Sequence, residues 1–169
     1  CFTFKEFAMK SPTTLLLPLA LSTALAGLPA WAADTHEHDH KKVQALKLNA
    51  GKKWGTDEPL RQAMTRIHAA ASQTLPTAHA GKASAADYDA FGKEIEAQIA
   101  YMVENCKLAP EADAQLHTII ANLGQGVEAA QGKHGEKRRA EGVVKVAQAA
   151  NAYGKYFDHS GWQAIKLAH

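Results

Sequence analysis

Apolar residues recur at helical spacing through most of the chain. Tyr88, Phe91, Ile95, Ile99, Met102 and Cys106 step by three, four, four, three and four. That rhythm returns each group to one helix face. Ser84-Ala85-Ala86-Asp87 ahead of it is close to a capping box, so a helix is predicted from there to about Lys107. A preceding helix opens at Gly55-Thr56-Asp57-Glu58-Pro59, with Thr56 as the expected cap. Its inner face is Leu60, Met64, Ile67, Ala71 and Leu75, and Pro76 is expected to stop it. Pro110 opens a third helix with Leu116, Ile120, Leu123, Val127 and Ala130 inward. A fourth, from about Glu136 to Phe157, turns Val143, Val146, Ala150, Tyr153 and Phe157 inward. No segment alternates with period two. The prediction is an all-α fold, an up-down-up-down antiparallel four-helix bundle.

Composition changes the picture mainly at the N-terminal side. Met9-Lys10, an apolar run from Leu15 to Leu28 and Ala30-Trp31-Ala32 have the form of a secretory signal peptide with an A-x-A cut. The run is too short, and too interrupted by Pro18 and Pro29, to span a membrane. Residues 1–32 are therefore expected to be upstream residues plus leader, and the mature protein periplasmic. Residues 33–54 read as a flexible His-rich tail and a cover segment, and 55–169 as the bundle. The formal charge of +2 falls by one without the leader, which argues against nucleic acid as a partner. Only Cys106 remains of the two cysteines, so no internal disulfide is expected.

Connectivity gathers the candidate chemistry. In such a bundle Met64, Met102 and His117 fall at similar heights, with Cys106 just outside them. Thioether, thiolate and imidazole together suit copper(I), and zinc less well. The competing reading is packing: the methionines fill core gaps and Cys106 is a small buried hydrophobe. In the tail, His36, His38 and His40 alternate with Glu37 and Asp39, so in an extended chain three imidazoles share a side. A cut after Ala33 would instead leave Asp34-Thr35-His36 as an amine-terminated copper(II) chelate. A b-type haem is the alternative cofactor, with Met64 and either His159 or His117 as axial ligands; the absence of C-x-x-C-H excludes covalent attachment. His68, His79, His134 and His169 read as solvated. Helix four lacks paired inner carboxylates, no predicted helix shows Glu-x-x-His, and there is no G-x-S-x-G or phosphate loop, so an enzyme is not expected.

The run from Leu48 to Met64, LNAGKKWGTDEPLRQAM, resembles the opening of a family of small exported proteobacterial proteins labelled DnrO-like. The stretch from Glu104 to His117, ENCKLAPEADAQLH, resembles the same family. The likeness covers the chain from about residue 48 onward and implies export, with little about function. In architecture the chain is similar to the cytochrome b562 and cytochrome c′ bundles. Met64 matches the first haem ligand of the former, whereas the helix-four histidine of that pattern is missing. The expectation is a metal-binding bundle, with a metal ion as partner, no membrane span in the mature form, and a homodimer as the oligomeric option.

Overall fold

The computed structural model describes residues 45–167. The leader, Val43, His169 and the histidines His36, His38 and His40 lie outside the described residues.

Four helices form: α1 Glu58–His79, α2 Ala85–Asn105, α3 Pro110–Ala130 and α4 Arg139–Tyr156, the last preceded by a single 3-10 turn at Glu136–Arg138. Each packs on its neighbours in sequence, α4 closes against α1, and α2 and α4 meet only across the diagonal. With short links this is the predicted all-α four-helix bundle. No described helix is long and apolar enough to cross a membrane.

The caps explain most boundaries. Ser84 and Asp87 make the full capping box at the start of α2. At α1 the cap is Asp57 rather than Thr56: its Oδ1 accepts the Leu60 N–H at 3.0 Å. Thr56 instead donates its hydroxyl to the Asp158 carbonyl at 2.6 Å. Pro76 does not end α1; the helix runs one more turn, to His79. Proline removes a single backbone donor there, and the Ser72 carbonyl so released is on the exposed face where water can reach it. Ala78, 3 % exposed, anchors the added turn in the core.

The predicted inner faces hold in the main: in α3 Ile119 is fully enclosed and Ile120 only half-buried, and in the α2 seam Ile99 and Cys106 are half-buried. The core runs through Leu60, Ile67, Ile95, Leu116, Leu123, Val143 and Tyr153. Helices α3 and α4 make the most extensive pairing. They come together at Gly126 and Gly142, where a Cβ on Gly142 would meet the backbone of Ala130 and, at 2.5 Å, the Gly126 carbonyl.

Ahead of α1, Leu46 and Trp54 pack against the core, whereas Leu48 is exposed. Asn49 and Lys52 close a tight turn through Ala50 (φ 48°) and Gly51 (φ 81°). The Lys47 N–H donates to Gln115 Oε1 at 2.8 Å, on α3. Trp54 then pairs as a one-residue parallel bridge with the end of α4: its N–H donates to the Tyr156 carbonyl and its carbonyl accepts from Asp158, both at 2.8 Å.

Candidate functional site

One end of the bundle brings together the start of α1 and the end of α2 with Cys106. It is organised by Asp57. One oxygen of its carboxylate caps α1; the other accepts the Lys107 N–H at 2.6 Å, just past α2. A single side chain thus holds the start of α1 to the end of α2. Asp57→Ala is expected to cost about 1–2 kcal/mol in denaturant titration, since two amides lose their acceptor at once.

Cys106 is the C-cap of α2, half-buried, with its N–H on the Met102 carbonyl at 2.9 Å. Burial first, and the facing carboxylates of Asp57 and Asp113 next, push its thiol up to about 12. The group is therefore a protonated S–H, with Asp57 as its acceptor, at any physiological pH. Beside it Asn49, Trp54, Asp57, Lys107, Leu108 and Glu111 line an open recess of about 540 Å³.

The other predicted ligands have different surroundings. Met64 and Met102, 0 % and 1 % exposed, are core residues surrounded by apolar neighbours. His117 stands on the outer face of α3, its side chain 69 % exposed, with Nδ1 2.9 Å from the Asp113 carbonyl and 3.4 Å from its carboxylate. Similar height along the bundle does not mean similar azimuth: Leu116 takes the inward position and His117, about 100° further round, looks out. Among the described residues no three His, Cys, Asp or Glu side chains are grouped to hold a metal ion.

The proposed haem pair fares similarly. Met64 lines neither the recess beside Cys106 nor those near His159. The place a helix-four ligand would occupy is filled by Tyr153 and Phe157, stacked 5.3 Å apart with both rings fully enclosed. His159 Nδ1 is engaged 3.0 Å from the Tyr153 hydroxyl. None of these three recesses reaches Met64.

A second cluster, missed from sequence, lies where the chain folds back after α4. Trp162 sits edge-on to Tyr153 (4.8 Å between ring centres) and to His68 (5.0 Å), and tilted over His159 (5.0 Å). Its indole lies against Gly154, and its Nε1 is buried without a hydrogen-bond partner among the described residues. His68, expected to be solvated, is half-buried, with Nε2 2.9 Å from the Gln163 carbonyl. Asn151 fixes the same strap further on, donating to the Ile165 carbonyl and accepting the Ile165 N–H. Burial, with Arg61 nearby, holds His159 below the usual imidazole range. Its neutral form is thus favoured by folding, and acidification through the ordinary imidazole value works against this corner. Gly154 beside Tyr153 was the available signal: a gap in a helix face needs something to fill it, and Trp162 was the unassigned aromatic.

The fold and this end together define an all-α protein of the four-helix-bundle class. Compared with protein-family models, curated proteins and solved structures, the chain matches none.

Proposed function

We propose that this is an exported, periplasmic bundle that binds a soft metal ion, copper(I) ahead of zinc, for storage, buffering or resistance. Cys106 is the anchoring ligand and the segment carrying His36, His38 and His40 is the capture arm. The observation that carries the reading is Cys106 itself: a half-buried thiol under the influence of the Asp57 and Asp113 carboxylates, whose neighbours Asp57 and Lys107 line an open recess. Asn49 and Trp54, from the segment that follows the histidines, line that same recess. Four residues separate His40 from Ala45, so His40 lies at most about 17 Å from the described chain. Met64 and Met102 serve in this reading as apolar backing rather than as ligands, and His117 with Asp113 offers a weak outer site.

A protonated thiol is protected against oxidation in an oxidising compartment, because the thiolate is the reactive form. A thiophilic cation takes it by displacing the proton. Copper(I) affinity, measured anaerobically by competition with a chromophoric chelator, is expected to rise about tenfold per pH unit below the thiol pKa. Cys106→Ser is expected to weaken it by about a hundredfold or more. Unchanged affinity in that variant would remove the Cys106 site, and deletion of 33–42 with unchanged copper(II) and zinc(II) uptake would remove the arm. Loss of neither would favour a cofactor-free bundle that works through a protein partner, a reading for which the fully enclosed Met64 and Met102 speak.

A further inference from the structure

The corner around His159 has features that neither packing nor metal capture uses. Glu58, Arg61, Gln62, Thr65, Arg66, His159 and Ser160 line an open recess of about 710 Å³. A smaller hollow of about 230 Å³ adjoins it and shares Thr65, His159 and Ser160, with His68 and Trp162 behind.

The charges on its wall are unequal. Arg61 is committed: Nη2 binds Glu58 at 2.7 Å, and Nη1 donates to the Thr56 carbonyl and hydroxyl. Arg66 makes no hydrogen bond or ion pair among the described residues. One cation on this wall is therefore left without a counter-charge.

The orientation of His159 is built in from behind. The Tyr153 hydroxyl is fully enclosed, and its one acceptor among the described residues is His159 Nδ1. Burial holds the phenol well above its ordinary value, so it keeps its proton. The hydroxyl then donates to Nδ1, which places the imidazole proton on Nε2, the nitrogen directed away from the core. The wall of the recess thus presents donors: Nε2–H of His159, the Arg66 guanidinium and the Ser160 hydroxyl, while the Thr65 hydroxyl already donates to the Arg61 carbonyl at 2.8 Å.

We propose that this recess binds a tetrahedral oxyanion of the sulfate and phosphate class, with Arg66 supplying the charge and the Tyr153-backed imidazole supplying a pre-oriented donor. A guanidinium and a fixed N–H suit the several acceptor oxygens of such an ion. The recess is wide enough for either a free ion or the phosphate of an ester, and the shared chemistry is the dianionic head.

Groups of both signs face His159. Arg61, Arg66 and His68 come from α1 together with Glu58; Tyr153 comes from α4; Asp158 precedes it in the chain. A bound dianion outweighs the cations and favours the imidazolium, so binding should tighten as pH falls through the imidazole range.

The test is a sulfate titration of the full chain, chosen because sulfate keeps its charge over this range, followed by NMR of the His159 ring and Arg66 side-chain signals. Saturable shifts at millimolar sulfate are expected, with affinity higher at about pH 5.5 than at about pH 8. Arg66→Gln, on an exposed helix position where folding is not at stake, should weaken binding about tenfold. Ser160→Ala should weaken it less. Glycerol phosphate binding more tightly than sulfate would assign the site to an ester, and equal binding to the free ion; both outcomes support the recess. Shifts that do not saturate, that chloride reproduces at equal ionic strength, or that persist unchanged in Arg66→Gln would overturn it.

Discussion

Gly142→Ala is expected to destabilise the protein by about 3 kcal/mol or more, the largest effect of any single methyl group in the bundle. The added Cβ does not meet a side chain that can rotate aside. It meets the main chain of α3: the Ala130 amide, the Ala130 Cα at 2.7 Å and the Gly126 carbonyl at 2.5 Å. The two helices must separate, and the enclosed side chains on either side, Val143, Val146 and Val127, lose contacts together. Gly124→Ala is the matched control. It lies in α3, where a Cβ would meet nothing within 4 Å. Helix propensity alone then acts, and a gain of about 0.5–1 kcal/mol is expected. Urea unfolding of the two variants reads both numbers. Similar changes for both would mean that the α3–α4 approach is looser than described.

Gly154→Ala is expected to cost about 2 kcal/mol, by a route that a second substitution reverses. Here the new Cβ meets the indole of Trp162, with Cγ at 3.0 Å and the Cδ1 and Nε1 edge closer still. The tryptophan must leave, and its contacts with His68, Tyr153 and His159 go with it. In a Trp162→Ala background the obstruction is gone. The same Gly154→Ala change should then be neutral or stabilising by about 0.5–1 kcal/mol, as for any helical glycine. A change of sign between the two backgrounds is the signature of direct contact. Equal costs in both would show that Gly154 is needed for the helix itself and not for Trp162.

The helices were legible because their information is local. The seam from Tyr88 to Met102, the Ser84–Asp87 box and Pro110 at a first turn each specify structure within a few residues. Pro76 misled because its cost depends on whether the freed carbonyl meets water, which is a tertiary fact. The candidate ligands were half legible. Height along an antiparallel bundle follows from counting residues. Azimuth depends on how each helix is rotated about its axis, and that is set by the whole core; hence Ile119 rather than Ile120 faces inward, and His117 faces out. Of the corner around Trp162 only the gap at Gly154 was legible, because the corner joins α1 to the segment after α4 through contacts nearly a hundred positions apart.

The bridge between Trp54 and Phe157 bears on the order in which the molecule assembles. The pairs α1 with α2 and α3 with α4 need only short loops to close, so each hairpin can form early. The Trp54, Thr56 and Lys53 bonds to α4 and the turn after it span about a hundred residues and bring no apolar seam of their own. They can close only when both hairpins have docked, and they are the first to part when the hairpins separate. Cys106 and the recess beside it lie at the margin of this late-forming seal. Access to the thiol is thereby coupled to the least persistent contacts of the fold, while the α3–α4 interface at Gly142 stays shut.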